Sequence, residues 1–322
     1  MRALIAAVIP LAAAIFTSAA LAQAFPSRPI RMIVPLPPGA TTDIVMRATA
    51  QELSTRLGQP VIVENRPGGN WVIGAEACRG SQPDGYTLCV LNSDALVFNP
   101  HILSKLPYDP AKDFAPITNL FFLFEGILAK GALPVNSIAE LQAHAKQNPG
   151  KVNFGTLGPG SSNDVFRQWL VSYWGVEMAG IPYKGGGNVV AALLAGEIDV
   201  TKIGMGNIVG QLNSGKVKVL AIQGSNRSKI VPSVPTLSEA GLGAYPLRVW
   251  WALVTRADAP EAAVKRINTE LARLYREPKM AEYLENQFVE VAVSSPQEFA
   301  AFLASERARA AETVKAFNIP RQ

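Results

Sequence analysis

The feature that most constrains the fold of this chain is a repeated alternation of short β-branched runs with helical stretches. Between residues 30 and 92, the runs IRMIVP, VIVEN and YTLCVLN are separated by DIVMRATAQELSTRL and a GAEAC segment. Between residues 151 and 215, KVNFGT, GIPYKG and IDVTKI alternate with VFRQWLVSYW, NVVAALLAG and GNIVGQLNSG. Strands alternating with helices predict an α/β fold, with parallel sheets covered by helices on both faces.

The two series predict two lobes, separated near residues 117–131. After the strand-like runs KVKVLAIQG and VWWALVT, the chain ends in helical stretches that need a sheet to cover, so we expect it to return to the first lobe. This predicts a first lobe of residues 23–125 plus 240–322 and a second lobe of residues 126–239. Two crossing hinge strands would then join two lobes that close on each other.

The N-terminal segment MRALIAAVIPLAAAIFTSAALAQA has one basic residue, a short apolar stretch, and small residues ahead of Gln23. It predicts a secretory signal peptide over residues 1–22, cleaved after Ala22, with Ala24 as the second choice. The alternative is an uncleaved membrane anchor. No other long apolar run follows, so we expect a soluble periplasmic protein.

Composition narrows the classes of partner. The 322 residues are 48% hydrophobic and 17% charged, which is enough to bury a core, and the net charge is +5. The basic residues are scattered and form no stripe, so no nucleic-acid partner is expected. A mild positive field favours anionic small molecules.

Cys78 and Cys89 are the two cysteines of the chain. In an oxidising compartment they could form a disulfide, if the helix around Cys78 packs on the strand around Cys89. Two separately buried thiols are the alternative. Either arrangement is structural.

Glycine-rich turns lead from strands into helices at several positions. In PLPPGATTDIV, residues 35–45, the prolines and Gly39 shape a turn, and Thr41, Thr42 and Asp43 are candidate caps of the next helix. The first amides of such a helix attract an anion, most simply a carboxylate. A plain helix start after a proline turn is the alternative. Similar junctions at TLGPGSSND, YKGGGN and LNSDA favour a cleft shared by both lobes.

The sequence gives little support for nucleotide binding, catalysis or metal binding. GMGNIVG matches a dinucleotide-binding pattern, but no acidic residue follows about 20 positions later. His101 and His144 are the only histidines, so a catalytic triad or a histidine metal site has little to draw on. We expect no cofactor, no metal and no catalytic residue. Of Trp250 and Trp251, one is expected in the core and the other toward the cleft. Exposure at another helix start is one interpretation of Trp71, but core packing is the more common explanation for each tryptophan.

A series of segments runs in order from about Pro26 to the C-terminus: IRMIVPLPPGATTDIV, GQPVIVENRPGG, IGAEA, QPDGYTL, LPYDPAKDFAPIT, PGKVNFGT, IPYKGG, GEIDV, SGKVKVLAI, VPSVPTLSEAGL and PQEFAAF. Together they resemble the signatures of the solute receptors of tripartite tricarboxylate transporters, the TctC or Bug family. The resemblance implies a type II periplasmic binding protein with an organic acid bound between its lobes. It also implies that the loop from Pro35 to Asp43 holds one ligand carboxylate, partly through ordered waters.

The chain departs from the family pattern at several expected cleft positions, which include Leu36, Ala40, residues 70–72, Asp164 and residues 202–204. We therefore expect Lys202 to pair with a second acidic group of the ligand, Trp71 to form an apolar wall, and Asp164 to accept from an ammonium or hydroxyl. A Lys202 to Asp164 ion pair that touches no ligand is the alternative. The candidate ligand-binding residues are Gly39, Ala40, Thr41, Thr42, Asp43, Trp71, Ser93, Asp94, Gly158, Ser161, Ser162, Asp164, Lys202 and Gly204.

The expected function is capture of a small organic carboxylate and its delivery to membrane transporter subunits by a monomeric receptor. One alternative is a secreted α/β enzyme acting on an anionic substrate, with Asp43 or Asp164 as general base. Another is a periplasmic receptor that signals to a sensor kinase.

Overall fold

The computed structural model describes residues 25–243, 245–317, 319 and 321, and the predicted signal peptide lies outside them. Eleven strands form two sheets within this part of the chain. They are β1 Ile30–Val34, β2 Val61–Asn65, β3 Thr87–Asn92, β4 Phe114–Leu123, β5 Glu125–Lys130, β6 Val152–Thr156, β7 Met178–Pro182, β8 Val200–Gly204, β9 Val217–Gln223, β10 Trp250–Arg256 and β11 Val289–Val291.

Nine α-helices pack on these sheets in the same described part of the protein. They are α1 Thr41–Leu57, α2 Val72–Arg79, α3 Asn99–Ile102, α4 Ile138–Gln147, α5 Ser162–Trp174, α6 Gly186–Ala195, α7 Glu261–Leu274, α8 Pro278–Asn286 and α9 Pro296–Ala316. None of the described helices is both long enough and apolar enough to cross a membrane.

The first sheet has the strand order β11-β4-β10-β3-β1-β2, and the second has β7-β6-β8-β5-β9. Each sheet forms one lobe of a two-lobed α/β fold. The prediction of parallel sheets is wrong in part, because β4, β5, β9, β10 and β11 pair only antiparallel with their neighbours. The parallel pairs are the local β-α-β units, whereas β4 and β5 run directly from one lobe into the other.

Two segments connect the lobes. The first passes from β4 through Phe124 into β5, and the second is the segment 224–249, which runs from β9 to β10. The two lie side by side, since the Leu123 amide donates to the Val249 carbonyl at 3.1 Å. This hinge places the ends of both sheets around a single cleft.

The C-terminal helices pack on the first sheet, as the sequence predicts. Trp250 of β10 packs edge-to-face against Phe299 of α9, with ring centroids 6.2 Å apart, and its Nε1 donates to Glu306. The α9 helix begins with a capping box between Ser295 and Glu298, which satisfies its first amides. Burial of this apolar face holds the C-terminal helices to the first lobe.

A disulfide joins Cys78 of α2 to Cys89 of β3, with Cα atoms 6.0 Å apart. The sequence predicted this disulfide on the condition that the helix around Cys78 packs on the strand around Cys89, and α2 does pack on that strand. The bridge ties the helix that follows Trp71 to the centre of the first sheet.

Candidate functional site

Three helix N-termini converge on one small cavity between the lobes. We call it the inner cavity; its volume is about 60 Å³. Its lining residues are Leu36, Ala40, Thr41, Thr42, Trp71, Asn92, Leu123, Glu125, Leu157, Ser162, Gly186, Ile203, Gly204, Asn207, Val249 and Trp251. The starts of α1, α5 and α6 all contribute, and none of the three has a side-chain cap.

Uncapped helix starts present backbone N–H groups and partial positive charge. Within the described residues, the amides of Thr41, Thr42 and Gly186 donate to no protein acceptor. No lysine or arginine lines the inner cavity among these residues. An anion would therefore be held by neutral donors.

Two buried side-chain donors add to these amides. Thr41 Oγ1 and Trp251 Nε1 have no hydrogen-bond partner within the described part of the chain, and each residue is only 3% exposed. Both residues line the inner cavity. Because an unmade hydrogen bond at a buried donor is costly, these groups favour an acceptor in the cavity.

The start of α1 is shaped by Asp43, which turns away from the cavity. Its carboxylate accepts from the Gly39 amide at 2.9 Å, from Arg47 Nε at 3.0 Å and from Asn65 Nδ2 at 2.7 Å. Burial raises the pKa of Asp43, but the hydrogen bonds from Arg47, Asn65 and Gly39 outweigh it, so the pKa is held below its usual value. Asp43 therefore fixes the loop rather than contacting the cavity.

Asp164 has a matching role at the start of α5. It accepts from the Gly160 amide at 3.2 Å, from Arg167 Nε at 2.9 Å and from Gln168 Nε2 at 2.9 Å. It does not line the inner cavity. The two carboxylates that an enzyme would use as general base are thus both engaged by protein donors.

Asp94 connects the two lobes. Its Oδ2 accepts from Trp71 Nε1 at 3.0 Å and from the Ser162 amide at 3.2 Å, and Ser162 belongs to α5 of the other lobe. Burial raises the pKa of Asp94, and the charge of Glu125 adds to this, although the bonds from Trp71 and Ser162 oppose it. One helix start facing the cavity is therefore occupied by a carboxylate of the protein itself.

Lys202 is buried behind the cavity and pairs with Glu125. Its ammonium also lies 5.2 Å from the ring centroid of Phe166 and 5.6 Å from that of Tyr245. The alternative of a Lys202 to Asp164 ion pair is wrong, because Asp164 pairs with Arg167 instead. Glu125, which the sequence did not single out, is the member of the pair that lines the cavity.

Several predicted residues come together at the inner cavity: Ala40, Thr41, Thr42, Trp71, Ser162 and Gly204. Others support the turns, since Gly39 and Gly158 have φ of 87° and 110° and Ser161 donates to the Gly158 carbonyl. Ser93 is buried beside Asp94.

Of the two interpretations of Trp71, the structure shows the buried one. It is 8% exposed and packs edge-to-face on Trp251, with ring centroids 5.7 Å apart. Trp251 does face the cavity and Trp250 the core, because neighbouring strand residues point to opposite faces.

The candidate residues did not include the lining residues Glu125 and Asn207, nor Asn92 and Gly186, although the last two belong to the LNSDA and YKGGGN junctions expected at the cleft. The triple glycine of YKGGGN was a usable signal for Gly186, since it precedes a helix. Nothing local marked Glu125, which reaches the cavity because β5 begins there.

A family model described as "Tripartite tricarboxylate transporter family receptor" matches residues 45–319. The chain belongs to this receptor family. Protein BugT of Bordetella pertussis is 31% identical to it, over 91% of this chain and 90% of that protein.

Solved structures of similar receptors agree with the two-lobed fold. The R. palustris protein Rpa4515 with adipate is 27% identical with a TM-score of 0.88, and the match covers 92% of this chain and 100% of that one. MatC from Rhodopseudomonas palustris with bound malate is 29% identical with a TM-score of 0.82, over 90% and 100% of the two chains. Both ligands are carboxylates.

Proposed function

We propose that this chain is a periplasmic receptor that binds a small organic carboxylate in the inner cavity and delivers it to the membrane subunits of a tripartite transporter. The observation that carries the proposal is the set of free donors at the cavity: the amides of Thr41, Thr42 and Gly186, with Thr41 Oγ1 and Trp251 Nε1. The adipate and malate named for similar receptors support the ligand class.

In this proposal, residues 1–22 are removed on export and the mature chain acts as a monomer. Residues 23–125 with 240–322 move as one lobe against residues 126–239, about the hinge at Phe124 and the segment 224–249. Closure excludes water from the cavity, which strengthens the amide and hydroxyl contacts to the carboxylate. Neighbouring genes for membrane transport subunits, rather than for a sensor kinase, would support delivery over signalling.

A thermal-shift screen of the mature protein against dicarboxylates, tricarboxylates, amino acids and aromatic acids tests ligand binding. A ligand at about 100 times its dissociation constant adds about 2.7 kcal/mol to stability. We expect one chemical group of acids to raise Tm without being turned over. No shift by any carboxylate, in protein free of co-purified ligand, would contradict the proposal.

The variant Thr41→Pro tests the helix start itself. Thr41 is the first residue of α1, where proline is tolerated, and Ala40 has the extended backbone that a following proline requires. The substitution removes one amide donor and one hydroxyl from the cavity, so we expect affinity to fall by about tenfold or more. Glu261→Pro, at the first position of α7, is the matched control and should leave affinity unchanged.

A further inference from the structure

A second, larger cavity adjoins the inner one. We call it the outer cavity; its volume is about 700 Å³. Its lining includes Pro37, Pro67, Trp71, Ile73, Leu157 and Lys184. Trp71 and Leu157, which belong to opposite lobes, line both cavities. The two cavities therefore meet between these side chains.

The inner cavity alone is small for an organic ligand. At about 60 Å³ it lies far below the roughly 300–1,000 Å³ of ordinary small-molecule sites. It suits the carboxylate end of a ligand, next to the free amides of α1 and α6. The rest of the ligand must continue past Trp71 and Leu157.

The charges near the inner cavity disfavour a second carboxylate there. Glu125 lines the cavity, and its partner Lys202 is buried behind it and already paired. Asp94 lies close by, and the charge of Glu125 adds to the burial that raises the pKa of Asp94. A short diacid would place its second carboxylate against this acidic side without a free cation.

The outer cavity is mostly apolar. Among the described residues that line it, Lys184 is the only one with a formal charge at neutral pH, and it is exposed. Ile73 is 47% exposed there, so a large part of its aliphatic side chain is in water. An apolar ligand body would cover Ile73 and remove it from water.

Trp71 forms a fixed wall of this passage. Its ring is held by the hydrogen bond to Asp94 and by the contact with Trp251. Its φ of 71° is in the left-handed region, which a bulky residue seldom adopts. Backbone strain of this kind concentrates at functional sites.

We propose that the ligand is a monocarboxylate with an apolar body, which extends from the inner cavity between Trp71 and Leu157 into the outer cavity. The inference rests on the proposed function, because the carboxylate is held at the inner cavity. It adds a subsite for the distal end of the ligand, formed by Ile73 and the surrounding prolines.

Three six-carbon acids that differ only at the distal end test this inference: hexanoate, adipate and 6-aminohexanoate, with propanoate as the short reference. Dissociation constants come from NMR titration of the mature protein. We expect hexanoate to bind at least tenfold, and up to about sixtyfold, more tightly than propanoate, because three more methylene groups leave water. We expect it to bind at least tenfold more tightly than adipate or 6-aminohexanoate.

The variant Ile73→Ser locates the subsite. It should weaken hexanoate binding several-fold and leave propanoate binding unchanged. Ile62→Ser is the matched control, since Ile62 is 56% exposed on β2 and lines neither cavity. It should change neither constant.

The outcomes separate the two proposals. Equal affinity for propanoate and hexanoate would overturn the outer subsite and leave the inner site standing. Tighter binding of adipate, lost again in Lys184→Met, would show a distal anion site instead and overturn the inference. Tighter binding of 6-aminohexanoate would likewise overturn it. Binding of none of the four acids would overturn this inference, and it would overturn the proposed function as well only if no carboxylate of the thermal-shift screen raised Tm.

Discussion

At the start of α1, Asp43 accepts a hydrogen bond from the Gly39 amide and another from an arginine of the same helix. At the start of α5, Asp164 does the same with the Gly160 amide and an arginine. Both loops follow a strand, and both helices lack a side-chain cap. The two lobes thus contain the same local construction of a helix start.

The two helix starts differ in what lies opposite them. The Ser162 amide of α5 donates to Asp94 of the other lobe, whereas the Thr41 and Thr42 amides of α1 have no acceptor among the described residues. The start of α5 therefore takes part in a contact between the lobes, whereas the start of α1 is free to bind a ligand. The local sequence determines where a helix starts, and the residues of the facing lobe determine whether its first amides already have an acceptor.

The largest expected effect comes from the buried ion pair near both helix starts. Lys202→Met leaves the Glu125 carboxylate buried without its partner, which typically costs about 3–5 kcal/mol of stability. We expect urea unfolding to show this loss, and calorimetry to show at least tenfold weaker carboxylate binding. The unpaired negative charge at the cavity would repel the ligand.

The double variant Lys202→Met with Glu125→Gln is the control, and it should recover most of the stability and affinity. If Lys202→Met alone retained full affinity, the charge of Glu125 would not influence ligand binding at the cavity, which would contradict this prediction.

A smaller effect separates the two helix starts directly. Ser162→Pro removes the amide that Asp94 accepts from, and Ser161 has the extended backbone that a following proline requires. Removing one partner of a buried hydrogen bond costs about 1–3 kcal/mol, so we expect a lower free energy of unfolding. Thr41→Pro should instead leave stability nearly unchanged and reduce affinity. The reverse pattern would contradict the assigned roles.

The smallest effect is a difference in pH dependence between two aspartates. Burial and the Glu125 charge raise the pKa of Asp94 above its ordinary 3.8, so its stability contribution is complete below about pH 3.8 and is lost as the pH rises through its folded-state pKa. The pKa of Asp43 is lowered: burial raises it, but the bonds from Arg47 and Asn65 outweigh burial. Its contribution is present above about pH 3.8 and is lost as the pH falls through its folded-state pKa.

Urea unfolding from about pH 3 to pH 7 measures this difference. The stability of the wild type relative to Asp94→Asn should fall as the pH rises, and its stability relative to Asp43→Asn should fall as the pH is lowered. If the stability of the wild type relative to each variant changed with pH in the same direction for both, the opposite pKa shifts assigned to Asp94 and Asp43 would be wrong.

Much of the fold was predictable because the alternation of strands and helices is a local signal. The pairing of β4 with β10 joins residues 114–122 to residues 250–256, so no local pattern indicates its antiparallel direction. The loops that lead into α1, α5 and α6 were also predictable, because they too are marked by a local sequence pattern. Glycine, serine and threonine at a strand end mark a helix start in the sequence itself.

The partners of charged residues were not predictable. Lys202 pairs with Glu125, which is 77 positions away, and Asp94 meets Ser162 only because the two lobes face each other across the cleft. The role of a buried charged residue depends on the residues near it in the folded structure, whereas the sequence shows only its neighbours along the chain.

In the proposed complex, a ligand carboxylate binds at the free amides of α1, while the amide of α5 stays bonded to Asp94. Amide proton shifts in ¹H–¹⁵N spectra, recorded with the acid that gives the largest thermal shift, test it most directly. We expect the Thr41 and Thr42 protons to move downfield on binding and the Ser162 proton to stay in place. A downfield shift of Ser162 with Thr41 and Thr42 unmoved would contradict it.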